Sequence, residues 1–238
     1  MDIKTEICSG CGQCIVVCPV QAISLVENKA FINKDHCVEC AVCYRYAECP
    51  VKAIKSSRLK WPRIIRSPFS NVIAPHKITG FPGRGTEEMK TNDLTNRFVI
   101  NEIGISIEIG RPGLGSHLRN IELFTTRLSK IGVEFEKESP VTAIIIDDEG
   151  HINEDIKDEF VLSAIIEFKI SKEKLNQVLR VIRDVEKDID TVFSVGIISR
   201  VIENNIDPLI NLLSKEGFEP RQNAKINIGL GKPYKRGA

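Results

Sequence analysis

All eight cysteines of this 238-residue chain fall between Cys8 and Cys49. They read Cys8-Ser-Gly-Cys11-Gly-Gln-Cys14, then Cys18-Pro19, and after a gap Cys37-Val-Glu-Cys40-Ala-Val-Cys43, then Cys49-Pro50. Two triplets at spacing three, each followed by a Cys-Pro, restrict the fold more than any other feature. A short loop can wrap three corners of a tetrahedral cluster but does not easily reach the fourth, which then comes from the other half of the stretch. The stretch is also an internal repeat, because Cys-Pro-Val-Gln-Ala-Ile at 18–23 returns as Cys-Pro-Val-Lys-Ala-Ile at 49–54. Disulfide scaffolds belong to short secreted chains. Zinc held by C-x2-C pairs would leave the third cysteine of each triplet surplus. Buried structural thiols would not recur at a fixed spacing.

Up to about Lys55 the pattern resembles the two-cluster bacterial ferredoxins. The resemblance implies two [4Fe–4S] clusters, one on Cys8, Cys11, Cys14 and Cys49, the other on Cys37, Cys40, Cys43 and Cys18, and one-electron transfer at low potential. The second half departs from the pattern. Five residues, Tyr44 to Glu48, separate Cys43 from Cys49, where three separate Cys14 from Cys18. That loosens the loop leading to Cys49. Tyr44 and Tyr46 are expected to shield cluster sulfurs from water, and His36 to bias a cluster through charge or hydrogen bonding.

The fold class expected is α+β. An N-terminal two-cluster ferredoxin domain spans 1–55. A basic, Pro/Gly-rich connecting segment spans 56–97 and is read as a long ordered loop. An α/β-sandwich domain built of ferredoxin-like βαβ units spans 98–238, with 98–147 and 160–230 as candidate halves. No stretch of 18 apolar residues occurs, so no membrane span is expected. The motif begins so close to Met1 that no targeting peptide is expected. Thiolate clusters without an export signal point to the reducing cytoplasm of an anaerobe.

The net charge of +1 conceals an uneven distribution. Residues 56–97 carry eight basic and three acidic side chains, a net of +5, whereas 98–159 carry six and thirteen, a net of −7. The basic block suits a small anionic ligand or an acidic partner. No recognition motif for nucleic acid accompanies it. Within the block, Gly80-Phe-Pro-Gly-Arg84-Gly85 and Lys90 suggest a backbone nest holding an anion. A second anion site is expected where Gly110-Arg111-Pro-Gly113-Leu-Gly-Ser116 leads from a strand into a helix opened by His117. The glycine spacing there is not that of a dinucleotide site.

Alternation of Ile103, Ile105, Ile107 and Ile109 predicts a strand. Helical spacing follows in Leu118, Ile121, Phe124, Leu128 and Ile131, with Gly132 at the C′ position. Val141–Ile146 reads as a short strand and 160–168 as another. Ser171 reads as the cap of a helix with Leu175, Val178, Leu179, Ile182 and Val185 inward. Val192–Val201 is an expected strand, 208–216 a helix, and Ile226–Leu230 a last strand.

Trp61-Pro-Arg63, Gly83-Arg-Gly-Thr-Glu-Glu-Met-Lys-Thr-Asn-Asp93 and Gly110-Arg-Pro-Gly113 resemble segments of the ferredoxin-dependent 6-hydroxynicotinate reductase group. That resemblance implies reduction of a nitrogen heterocycle or related conjugated ring. No nucleophile–base pair stands out, and thiol catalysis outside the clusters is excluded. Three functions are therefore expected in this order. The first is an electron-transfer protein feeding a redox partner, either a ferredoxin-reducing enzyme or a reductase subunit. The second is a self-contained reductase of a conjugated or N-heterocyclic anion. The third is a redox-sensing, ligand-binding regulatory or assembly protein.

Overall fold

The computed structural model describes residues 1–75, 97–111, 113–199 and 208–219. Arg84, Gly85 and Lys90 of the expected anion nest lie outside the described residues, as does the strand expected at Ile226–Leu230.

The cysteine-rich stretch is made of short elements. Strand β1 (Asp2–Ile3) is followed by helix α1 (Gln13–Val16), the hairpin β2 (Ile23–Val26) and β3 (Lys29–Ile32), helix α2 (Val42–Tyr46) and strand β4 (Ile54–Lys55). β1 pairs antiparallel with β4 and closes the stretch on itself. A small core of Met1, Ile23, Ala30, Ile32, Ala53 and Ile54 packs against Cys8, Cys14 and Cys43.

In its described part, up to residue 75, the connecting segment differs from the loop expected. A 3-10 turn (Arg63–Ile65) runs into helix α3 (Arg66–Ser70). Pro68 does not prevent this, because it sits in the first turn, where a backbone N–H has no intrahelical acceptor to lose. The Phe69 side chain is fully buried in the core of the C-terminal region.

That region continues with β5 (Glu102–Ile109), β6 (Ser116–His117), α4 (Arg119–Ile131), β7 (Glu134–Phe135), β8 (Phe160–Val161), β9 (Ala164–Ser171), α5 (Leu175–Asp188), β10 (Phe193–Ser199) and α6 (Pro208–Lys215). Four strands form one antiparallel sheet in the order β10-β5-β9-β7. β5–α4–β7 and β9–α5–β10 are thus two split βαβ units, each with a strand of the other inserted between its own. Strands from both candidate halves, 98–147 and 160–230, share this sheet.

The register explains the core. Ile103, Ile105, Ile107 and Ile109 lie opposite Ile170, Phe168, Ile166 and Ala164 of β9. Val195 and Ile197 of β10 lie opposite Ile107 and Ile105. The period of two puts them all on one face. The inward residues expected for the two long helices, Ile121, Phe124 and Leu128 of α4 and Leu175, Val178, Leu179, Ile182 and Val185 of α5, are buried against that face. Gly132 ends α4 in the left-handed region at φ 71°, as its C′ role requires.

Three local expectations are corrected. Val141–Ile146 is no strand: Thr142–Ile144 form a 3-10 turn, and only Ile145 makes an isolated bridge, to Ile152. Val141 and Ile144 are the buried pair, a spacing of three that suits a helical turn, while Ile146 is 64% exposed. The strand expected over 160–168 divides into β8 and β9. The Ser171 side chain makes no cap hydrogen bond, and α5 instead begins through a 3-10 turn at Lys172–Lys174.

Candidate metal centre

The two cysteine triplets adopt the same backbone. Gly10 and Glu39 have φ of 73° and 57°, and Gly12 and Ala41 have 75° and 56°. Each pair occupies the same place between cysteines. After each Cys-Pro the repeat continues, with Gln21 and Lys52 at φ 53° and 50°. The left-handed residues turn the chain tightly enough for three thiols to face one point.

The hydrogen bonds repeat as well. Ala22 N donates to Cys18 Sγ at 3.2 Å, and Ala53 N donates to Cys49 Sγ at 3.3 Å. Ala30 N donates to Cys8 Sγ at 3.4 Å. Donors aimed at sulfur favour the thiolate, the form that binds metal. The Ala30 and Gly10 N–H groups accordingly hold the Cys8 thiol below its ordinary range.

The structure brings the predicted residues together across the repeat. Cys14 has Cys11, Cys8 and Cys49 as its electrostatic neighbours, and burial leads the effects raising its pKa. Burial pushes the Cys43 thiol up to about 12, with the thiols of Cys40, Cys37 and Cys18 adding to the rise. Burial also raises Cys40, where Cys18 and Cys37 contribute again. Of the five residues before Cys49, three lie in α2, which is one residue longer than α1, and Cys49 remains among the electrostatic neighbours of Cys14.

The donor set fits an iron–sulfur cluster. A narrow gap of ≈ 20 Å³ is lined by Cys18, Cys37, Cys40 and Cys43, with apolar walls that include Ile23 and Ile32. Two buried and two half-buried thiols do not ionise side by side in such a place unless cationic metal compensates them. Among the described residues, no three or more His, Cys, Asp or Glu side chains are grouped to hold a single ion.

The two quartets have different surroundings. Cys11 is exposed, while Cys40 and Cys43 are buried. Glu39, the counterpart of Gly10, is 4% exposed. Its carboxylate pairs with Arg63 at 2.7 Å and with the Met1 ammonium at 2.5 Å. Arg63 and Arg66 both donate to the Cys37 carbonyl, at 3.4 and 2.9 Å. The sequence reading missed Glu39, Arg63 and Arg66. One signal was available: a glutamate stands in the second triplet where the first has glycine. Tyr44 and Tyr46 are 53% and 65% exposed, so little of either ring covers the sulfurs as expected.

The residues expected at the second anion site are not held together. Arg111 pairs with Glu108 at 2.9 Å, while Gly113 occupies the turn at φ 69°. His117 Nδ1 lies 3.0 Å from the Asp158 carbonyl, and its ring packs on Phe160. The start of α4 meets carboxylates of the protein itself. Asn120 Nδ2 donates to Asp190 at 2.6 Å, and Arg119 pairs with Asp158 at 2.6 Å. The Asn120 hydrogen bond, aided by Arg119 and His117, holds Asp190 below the usual carboxylate range. Among the described residues no helix is long and apolar enough to cross a membrane.

Comparison with known proteins agrees with this geometry at the N-terminus. The family described as "4Fe-4S binding domain" matches residues 1–24. Ferredoxin-1 of Caulobacter vibrioides is 46% identical over 55 residues, 22% of this chain and 47% of that protein. Ferredoxin-1 of Rhodobacter capsulatus is 45% identical over 40 residues, 17% of this chain and 62% of that protein. Ferredoxin 7Fe of Hydrogenibacillus schlegelii is 42% identical over 54 residues, 22% of this chain and 67% of that protein. The chain thus spans about half to two thirds of the length of these relatives. No solved structure matches the chain.

Proposed function

Because the N-terminal segment of this chain is a 4Fe–4S ferredoxin domain, we propose that it carries two [4Fe–4S] clusters and passes low-potential electrons through them to a reductase partner. The clusters rest on Cys8, Cys11, Cys14 and Cys49, and on Cys18, Cys37, Cys40 and Cys43. One observation supports this reading: Cys49 is an electrostatic neighbour of Cys14, and Cys18 of Cys43, each across the repeat. Electron transfer needs no acid, base or nucleophile, which suits a site built of thiols and apolar walls. A reducing cytoplasm keeps such thiolates available.

Anaerobic purification followed by iron and sulfide analysis, with EPR of the reduced protein, tests this reading. Eight irons per chain and two magnetically interacting reduced clusters are expected. An iron count near four means that only one quartet is built and overturns the two-cluster reading. A count near seven marks one cluster as lacking a metal. Zinc in place of iron sinks the reading altogether.

A second reading, reduction of an anionic substrate by the chain itself, is favoured by an open cleft beside the Cys37 turn. It holds ≈ 350 Å³ and is lined by Asp2, Lys34, Arg58, Lys60, Trp61 and Arg63 among others, Lys34 being paired with Asp2. Volume and charge both suit a small anion. Trp61 is the chain's single tryptophan, so its fluorescence reports on the cleft directly. Quenching by a planar aromatic carboxylate, absent with its neutral amide, supports this reading, and equal response to both removes it.

A further inference from the structure

Arg66 opens α3, and its side chain is 7% exposed. Its Nη1 faces three carbonyls of the turn leading into the second triplet: Lys34 and Asp35 at 3.0 Å, and Cys37 at 2.9 Å. Its Nε pairs with Glu159, whose side chain is 12% exposed. A buried charge is costly unless paired, and the loss of either partner leaves the other uncompensated. The pair therefore fastens the Cys37 turn to the C-terminal region.

A second contact runs alongside. The Phe160 ring stands between His36, at 6.3 Å between centroids, and His117, at 5.1 Å. The backbone of Glu159 also accepts from Leu118 N at 3.1 Å, at the start of α4. Among the described residues the first triplet lacks such ties. Cys8 is bonded by Lys29 and Ala30 of its own hairpin. Among the described residues no hydrogen bond or ion pair joins the Cys8–Cys14 turn to the C-terminal region. Cys11 is exposed.

Building on the two-cluster reading, we propose that Arg66 is a positioning residue that makes the Cys18, Cys37, Cys40 and Cys43 quartet the inner electron port, facing the C-terminal region, and leaves the Cys11 quartet as the outer port. Cys8, Cys11, Cys14 and Cys49 would hold the outer group and Cys18, Cys37, Cys40 and Cys43 the inner one, and the pair would supply one-electron transfer from an external low-potential one-electron donor to a one-electron acceptor. Arg66 holds the turn in register and sets a positive charge near it, and Glu159 offsets part of that charge.

Cluster reduction adds negative charge, so a nearby guanidinium favours the reduced state and a nearby carboxylate opposes it. The test is an EPR-monitored redox titration of the full-length, anaerobically reconstituted protein and of Arg66→Gln, Arg66→Lys and Glu159→Gln. One of the two midpoint potentials is expected to fall in Arg66→Gln and to rise in Glu159→Gln. It stays near the starting value in Arg66→Lys, and the other potential stays in place throughout. A role confined to stability would not give shifts of opposite sign.

Two unmoved potentials, two potentials that move together, or shifts of the same sign in Arg66→Gln and Glu159→Gln would overturn the proposal. Should Arg66→Gln fail to hold its clusters, Glu159→Gln and Arg66→Lys decide it by the same rule. Iron analysis of the unaltered protein comes first. Four irons there overturn the two-cluster reading itself, an outcome separate from eight irons with unmoved potentials.

Discussion

Gly10 and Gly12 differ at the level of single atoms. Both have φ near +75°. A Cβ on Gly10 would stand 2.3 Å from the backbone carbonyl oxygen of Asn28, whereas one on Gly12 meets nothing within 4 Å. The counterpart of Gly12 is already an alanine, Ala41, at φ 56°. Gly12→Ala should therefore cost about 1 kcal/mol of backbone strain and leave iron content intact. Gly10→Ala must also push the β2–β3 turn away from Cys8, since backbone cannot swing aside as a side chain does. It is expected to lower iron content after anaerobic reconstitution. Equal iron retention by the two variants would show that the hairpin gives way freely and that the close approach does not shape the site.

Elements here are closed by polar turns whose strength depends on pH. The Asp147–His151 turn is the clearest case. Asp147 accepts from the N–H groups of Glu149 at 3.1 Å and His151 at 3.0 Å, and lies 2.9 Å from His151 Nδ1. The His151 backbone donor leads in holding Asp147 below its ordinary range, and the Asp147 side chain holds His151 above its own. The histidine contribution is complete below the ordinary imidazole value of 6.5 and fades as pH rises past the folded value. The carboxylate contribution is complete above 3.8 and fades as pH falls through its lowered folded value. The turn is tightest between these limits. NMR titration should show the His151 imidazole returning toward 6.5 in Asp147→Asn. An unchanged midpoint would mean that the pair does not form in solution.

At the scale of the whole molecule, two cores meet through polar ties. The C-terminal core gathers the isoleucines of β5 with both long helices, and the N-terminal core gathers around the cysteines. Between them run Arg66–Glu159, Ser70 Oγ accepting from Leu162 N at 2.9 Å, and Trp61 Nε1 donating to Asp155 at 3.1 Å. Ile107 is fully buried in the middle of the sheet. Ile107→Ala should cost about 2–5 kcal/mol. Its thermal transition, followed by far-UV circular dichroism, should move down, while the iron content of the native protein stays unchanged because, among the described residues, no cysteine belongs to this core. Loss of iron in step with the sheet would mean that the two cores fold as one.

Much of this architecture was legible where spacing carried the information. Cysteine spacing is local, so the two triplets and the Cys-Pro that follows each could be paired as a repeat from the sequence, whereas the left-handed turns of Glu39 and Ala41 could not. The isoleucine alternation of β5 and the helical stripes of α4 and α5 follow from periods of two and 3.6. Short apolar runs were not legible. Val141–Ile146 suits a strand or a helical turn equally until its neighbours choose.

Partnership across the chain was decided only in three dimensions. Nothing in the local pattern puts β5 between β9 and β10, supplies Asp190 to the start of α4, or joins Arg66 to Glu159. Each of these depends on which of many chemically equivalent partners the folded chain brings close. Spacing in the sequence determined that the thiols would gather. The tertiary structure decided which quartet is tied to the rest of the molecule, because a buried arginine can satisfy its charge only where a buried carboxylate meets it.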